Sequence, residues 1–115
     1  LSPDGPLLVE VPNLYAHDCF EVAHLVSYSP HTLTETLRQA GFEVAAMQRH
    51  GRPRSELLPL YLTALARPAD NGQTPARVTP ERFPAIRRRL GMLHRRLLTR
   101  LAPRRAWLPV ASGAD

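Results

Sequence analysis

The chain has 115 residues, with 15 arginines, no lysine and 10 acidic residues, which give a formal net charge of +5. That length suits one small domain, and 43% apolar residues exclude a wholly disordered chain. A single cysteine, Cys19, excludes an intrachain disulfide and a multi-cysteine metal site. The sequence starts at Leu1 without a basic segment followed by an apolar one. We therefore expect no signal peptide, a cytoplasmic location and a chain cut from a longer protein.

The first predicted element is a strand over residues 7–11. Its sequence, LLVEV, is nearly all apolar and is flanked by turn-forming residues on both sides. Such a run is typical of a strand buried on both faces and also of a buried helical turn, and the flanking turns favour the strand. Residues 14–28 mix aromatic, acidic and histidine side chains, which indicates a short helix or an ordered loop.

A helix is predicted to begin at Ser29-Pro30. Serine accepts a hydrogen bond from a free backbone N–H as the N-cap, and proline suits the first helical position. An apolar stripe follows at helical spacing, formed by Leu33, Leu37 and Ala40. Gly41 is predicted to end the helix, because glycine adopts the left-handed conformation at little cost.

Two further strands are predicted over residues 42–48 and 60–66. A helix connects the first strand to the second, which indicates a right-handed crossover and a parallel pair. A loop without a helix connects the second strand to the third, which indicates an antiparallel pair. The expected fold is therefore α/β, with a short three-stranded mixed sheet, a crossover helix and a basic C-terminal helix.

Most of the basic charge lies in a helix predicted over residues 80–102, which holds seven arginines and one acid. Thr79 is the predicted N-cap, and Pro103 is predicted to end the helix. Apolar residues recur at helical spacing: Phe83, Ile86, Leu90, Leu93, Leu97 and Leu101. This stripe indicates packing on the sheet with the arginines toward solvent, dimerisation, or binding to an anionic partner, and we expect packing.

The domain organisation follows from these elements. We expect the C-terminal half of a domain over residues 1–67, a linker over 68–79, the basic amphipathic helix over 80–102 and a flexible tail over 103–115.

Three motifs in order resemble the C-terminal half of class I S-adenosylmethionine-dependent methyltransferases. They are GPLLVEVPN at residues 5–13, HLVSYS at 24–29 and TLTETLRQAGFE at 32–43. The resemblance covers a little over half of the chain. It implies a partial Rossmann-like methyltransferase fold, whose sheet ends with a parallel strand, a helix, an edge strand and a last strand inserted antiparallel between them. The sequence departs from the family at Pro6, where the family turn has a second glycine.

The resemblance implies that the parent protein transfers a methyl group from S-adenosylmethionine to a small-molecule acceptor. This chain would contribute the acceptor-side wall, because the family's glycine-rich cofactor loop and its acidic ribose-binding residue are missing from the sequence. We therefore expect no cofactor-binding residue here and no binding of S-adenosylmethionine by the chain alone. A non-catalytic interaction or oligomerisation module that reuses this half-fold is the alternative.

Three residues are candidates for the acceptor site. His24 matches a family histidine that lines the acceptor side, and histidine takes up a proton near neutral pH, so His24 is the catalytic candidate. Asn13 and Tyr28 are the candidates for binding the substrate. The alternative roles are a structural histidine for His24, a turn for Asn13 and a core aromatic for Tyr28. No metal site is expected.

The predicted partners, besides the small acceptor, are further copies of this chain. We expect self-association through the open edge of the strand at residues 7–11, through the apolar stripe of the last helix, or through both. Nucleic acid is not expected, because no aromatic residue interleaves with the arginines. A membrane is not expected either, because the stripe carries no aromatic residue after Phe83.

Overall fold

The computed structural model describes residues 5–17, 26–51, 59–69 and 77–106. The elements in chain order are β1 (Leu7–Pro12), α1 (Pro30–Gln39), β2 (Phe42–His50), β3 (Tyr61–Pro68), α2 (Pro84–Leu101) and the short α3 (Pro103–Ala106). The three predicted strands and the first predicted helix are confirmed, with small differences at their ends.

The sheet has the order β1-β3-β2, and β3 is antiparallel to both of its neighbours. The predicted parallel pairing of the first two strands is therefore wrong, and so is the mixed, partly Rossmann-like sheet expected with it. The described strands form an open, all-antiparallel sheet. β3 takes the centre because it carries the most deeply buried residues, Leu62, Ala64 and Ala66. In the centre its backbone groups find hydrogen-bonding partners on both edges, which a buried strand requires.

The hydrophobic core lies between α1 and one face of the sheet. Leu33 and Leu37 of α1 pack against the buried side chains of β3. Partly buried residues from β1, β2 and the start of α1 surround them: Leu7, Val9, Val11, Tyr28, Phe42, Val44 and Met47. Alternating inward residues on the strands and four-residue spacing on the helix produce this single apolar layer.

Both ends of α1 follow the sequence pattern. The hydroxyl of Ser29 accepts a hydrogen bond from the backbone N–H of Thr32 at 3.1 Å, and the hydroxyl of Thr32 accepts one from the backbone N–H of Ser29 at 2.8 Å. This reciprocal pair satisfies two backbone donors that a helix start otherwise leaves free. Gly41 has a φ of +83°, the left-handed conformation predicted for it.

The second long helix, α2, begins at Pro84 and not at residue 80 as predicted. Residues 77–81 run along α1 instead. The backbone N–H of Thr79 donates to the carboxylate of Glu35 at 3.1 Å, and the carbonyl oxygen of Thr79 accepts from the imidazole of His31 at 2.7 Å. The predicted N-cap residue is thus used in tertiary contacts, and Phe83, with a φ of 54°, precedes the helix.

The apolar stripe of α2 faces away from the sheet, which contradicts the predicted packing. Its six residues are between 48% and 78% exposed: Phe83, Ile86, Leu90, Leu93, Leu97 and Leu101. The opposite side of the helix faces the body of the chain, where Gly91 is buried. There, the guanidinium of Arg88 donates to the carbonyl oxygen of Leu14, and that of Arg95 donates to the carbonyl oxygen of Ala16 at 3.5 Å. Arginine side chains therefore hold α2 in place.

The free edge of β1 bears on the predicted self-association. β1 pairs with β3 along one edge, and no other described strand pairs with its second edge. Self-association through this edge stays a prediction.

None of the helices in the described ranges has the length and apolarity needed to cross a membrane.

Candidate functional site

A cleft of about 750 Å³ opens at the carboxyl end of β1, between the start of α1 and the inner side of α2. Its volume falls within the range of about 300–1,000 Å³ that is usual for small-molecule sites. Polar side chains from five segments line it: Asn13, Tyr15, His31, Thr34, Arg49, Glu81, Arg87 and His94. Met47, Pro59 and Leu90 add apolar surface. The cleft therefore combines a partly apolar wall with convergent polar groups.

Asn13 forms the turn that ends β1. Its side-chain N–H donates to the carbonyl oxygen of Pro59 at 2.9 Å, and its side-chain oxygen accepts from the backbone N–H of Tyr15 at 3.2 Å. The residue is buried, and its backbone N–H also donates to the carbonyl oxygen of Leu60 at 2.7 Å. Asn13 thus joins β1 to the entry of β3 while it lines the cleft. Its role in binding the substrate stays a prediction.

Tyr28 lies beside this turn. Its carbonyl oxygen accepts from the backbone N–H of Leu14 at 2.8 Å, and the two segments form a parallel bridge at Asn13 and Tyr28. The structure therefore brings the two predicted binding residues together. The Tyr28 ring packs against the core under α1 and is not among the described residues that line the cleft, so its predicted contact with the substrate stays a prediction.

The catalytic candidate His24 lies outside the described residues, as does Cys19. Its predicted role in proton transfer therefore stays a prediction.

Glu81 is a buried carboxylate at the edge of the cleft, with a side chain only 6% exposed. It accepts a hydrogen bond from the hydroxyl of the fully buried Ser29, and it pairs with the guanidinium of Arg87 at 3.2 Å. A buried carboxylate needs such partners to offset the loss of hydration. Glu81 therefore ties the start of α1 to α2 across the cleft.

Tyr15 places a buried hydroxyl in the cleft lining. Burial raises its pKa, the nearby carboxylate of Glu81 raises it further, and the guanidinium of Arg87 opposes the shift. The phenol is therefore protonated at neutral pH, and it lies beside the Glu81 carboxylate, toward which it can donate. The hydroxyl forms no hydrogen bond of standard geometry with any described residue. A buried polar group in this state favours a ligand that accepts a hydrogen bond from it.

Two histidines line the cleft from opposite sides, His31 on α1 and His94 on α2. The Nε2 atom of His31 lies 2.7 Å from the carbonyl oxygen of Thr79, which can only accept, so Nε2 carries the proton and donates. Imidazoles bind polar ligands and exchange protons near neutral pH. The cleft therefore has the groups needed to bind a polar molecule and to take a proton from it.

The described residues do not fit S-adenosylmethionine or a metal ion. A proline-asparagine turn, and not a glycine-rich loop, follows β1, while Gly41 ends α1 and Gly51 follows β2. A Cβ atom at Gly51 would lie 2.8 Å from the ring of Tyr61, so the lack of a side chain lets Gly51 pack closely against β3. Within the described ranges, no group of three histidine, cysteine, aspartate or glutamate side chains lies close enough to hold a metal.

The polar cleft residues other than Asn13 are not among the sequence candidates, and four of them show why: Tyr15, His31, Glu81 and His94. The first two follow directly on motifs that were recognised, since Tyr15 is two residues after Asn13 and His31 is two residues after the N-cap Ser29. Their closeness in sequence to Asn13 and Ser29 is the signal from which Tyr15 and His31 can be predicted as cleft residues. Glu81 and His94 lie in a segment whose place against the fold no local pattern reveals.

No protein-family model matches the chain, and no curated protein or solved structure matches it. The resemblance to methyltransferases therefore rests on the three sequence motifs, and the function has to be argued from the cleft.

Proposed function

We propose that this chain forms the acceptor-side wall of an S-adenosylmethionine-dependent methyltransferase and that its cleft binds the small molecule to be methylated. The observation that carries the proposal is the place of the cleft. It opens at the end of β1, where the resemblance puts the acceptor side, and Asn13 of the first motif lines it. The proposed location is the cytoplasm.

One feature of the sheet is compatible with the resemblance, although the predicted parallel pairing is not. β3, the last strand, lies antiparallel between β1 and β2. β1 also has an edge to which no other described strand pairs, where a further strand of the complete protein would add. Because the described residues do not fit the cofactor, we propose that other residues of the complete protein hold it.

The cleft residues suit a polar acceptor. An oxygen or nitrogen nucleophile has to give up a proton during methylation, and a base in contact with it accelerates this by about 10²- to 10⁴-fold. His31 and His94 are the described candidates for this base, beside the predicted His24. Tyr15, whose raised pKa keeps it protonated, donates a hydrogen bond to the acceptor. Arg87 is 55% exposed and keeps guanidinium donors for the ligand while it pairs with Glu81.

The test uses the complete protein, with titration calorimetry of S-adenosylmethionine and transfer of a labelled methyl group to a panel of small acceptors. Thr34→Phe narrows the cleft from α1 and should raise KM for the acceptor while leaving the Kd for S-adenosylmethionine unchanged. Thr36→Phe, on the exposed side of the same helix, is the matched control. Equal effects of the two variants would contradict the assignment of the cleft, whereas a complete protein that binds no S-adenosylmethionine would contradict the methyltransferase proposal.

The exposed stripe of α2 favours a second candidate function, an interaction module without catalysis. The side chains from Phe83 to Leu101 leave an apolar surface of a kind that usually marks a binding site. The calorimetric experiment separates the two functions, because a module without catalysis would neither bind S-adenosylmethionine nor transfer a methyl group.

A further inference from the structure

The exposed apolar surface of α2 has the geometry of a coiled-coil seam. Its residues alternate at three- and four-residue spacing along the helix: Phe83, Ile86, Leu90, Leu93 and Leu97. This spacing averages about 3.5 residues and keeps one narrow stripe facing a partner helix. Every one of these side chains is at least 48% exposed. We call these five residues the α2 seam.

Basic residues flank the α2 seam on both sides. Arg82, Arg89 and Arg96 recur every seven residues along one flank, and Arg87 and His94 lie on the other. In a coiled coil, these flanking positions face the flanking positions of the partner helix. α2 contains six arginines and no acidic residue. Two copies of α2 would therefore place arginine against arginine, which disfavours pairing of the seam with a second copy.

We propose that the α2 seam binds an amphipathic helix of another protein, with an apolar seam of its own and glutamate or aspartate at the flanking positions. Acidic flanks pair with Arg89 and Arg96, both of which are exposed, and like charge rejects helices with basic flanks. Arg87 contributes less, because Glu81 already pairs with it. This inference does not depend on methyl transfer.

The bound partner would leave α2 in place, and it would lie beside the mouth of the cleft, because Leu90 of the seam and the flanking Arg87 and His94 also line the cleft. α2 is held to the body through its opposite side, where Arg88 and Arg95 donate to backbone carbonyl oxygens and Gly91 is buried. The α2 seam points away from these contacts. A partner helix therefore adds to the outer face of α2 without displacing it.

The probes are two synthetic peptides of about three heptads with the same leucine and isoleucine seam. One carries glutamate at the flanking positions, and the other carries lysine. Fluorescence anisotropy with the full chain should show the glutamate peptide binding about tenfold more tightly at low salt, because two charge pairs change from attraction to repulsion. The double variant Arg89→Glu/Arg96→Glu should reverse this preference, so that the lysine peptide binds more tightly.

A second variant tests the apolar part of the surface. Leu90→Ser/Leu97→Ser should abolish binding of both peptides, while Leu8→Ser, a change of a 69% exposed leucine on β1, should leave it unchanged. Circular dichroism of each variant verifies that α2 stays helical. Equal binding of the two peptides, or no binding of either, would overturn the proposal. Binding to phosphatidylserine vesicles in place of the peptides would assign the surface to a membrane, and a concentration-dependent dimer lost in Leu90→Ser/Leu97→Ser would assign it to a second copy.

Discussion

Replacing Glu81 by glutamine tests whether this residue holds α2 against the body of the chain. The carboxylate is 6% exposed, accepts from the buried hydroxyl of Ser29 and pairs with Arg87 at 3.2 Å. Glutamine keeps the shape and one acceptor oxygen but removes the charge. A hydrogen bond to a buried charged group contributes about 1.5–3 kcal/mol, and glutamine retains part of it. The pair with Arg87 adds little, because that guanidinium is 55% exposed.

We therefore expect Glu81→Gln to lower the free energy of unfolding by about 1–2 kcal/mol. For a chain of this size the corresponding fall in Tm is about 4–12 °C. Urea and thermal unfolding followed by circular dichroism measure both quantities. Glu43→Gln, a change of an exposed glutamate on β2, is the matched control and should leave stability unchanged within about 0.5 kcal/mol.

The same variant has a second readout that a general loss of stability would not produce. Glu81 raises the pKa of Tyr15 and Arg87 lowers it, so Glu81→Gln should lower this pKa and Arg87→Met should raise it. Absorbance titration in a Tyr28→Phe/Tyr61→Phe background isolates the Tyr15 phenol. If Glu81→Gln is as stable as Glu43→Gln and the pKa of Tyr15 is unchanged, Glu81 does not link α1 to α2. The cleft is then not formed as described between these two helices.

Four further outcomes are expected. Leu62→Ala, at a fully buried position, should cost about 2–5 kcal/mol in urea unfolding, and equal loss in the exposed control Leu8→Ala would contradict the assigned core. Gly51→Ala should lower Tm, because the residue has a φ of +101° and the added carbon would meet the Tyr61 ring at 2.8 Å. Arg38 and the Thr79 N–H bind the charged form of Glu35 and hold its pKa below the ordinary 4.5. The stabilising contribution of Glu35 is therefore present above pH 4.5 and lost as pH falls through the folded-state pKa. Glu35→Gln should reduce the fall of Tm at acid pH, measured as Tm against pH. Tyr15 has a pKa above 10.0, so its contribution is present below pH 10.0 and lost as pH rises through the folded-state pKa, and Tyr15→Phe should remove this alkaline loss from the same curves.

The sequence by itself determined the local elements. The start of α1 at Ser29-Pro30 and its end at Gly41 follow from hydrogen bonds and backbone conformations within a few residues of each end. The turn at Asn13, which the sequence offers as the alternative to substrate binding, is local for the same reason, because its side chain binds the backbone N–H only two residues further on. These features depend on neighbours in sequence, which the pattern records directly.

The tertiary structure alone decided which strands pair, the direction of the α2 stripe and the position of the cleft. A helical crossover permits β1 and β2 to run in the same direction whether they pair or are separated, and burial of Leu62 in the centre selected separation by β3. The amphipathic pattern of α2 identifies an apolar stripe but not what covers it, because burial depends on partners far away in sequence. Ser29 and Glu81 are 52 positions apart in the sequence, so no local periodicity predicts the hydrogen bond between them. This bond joins the start of α1 to the segment that carries Glu81 into the cleft lining.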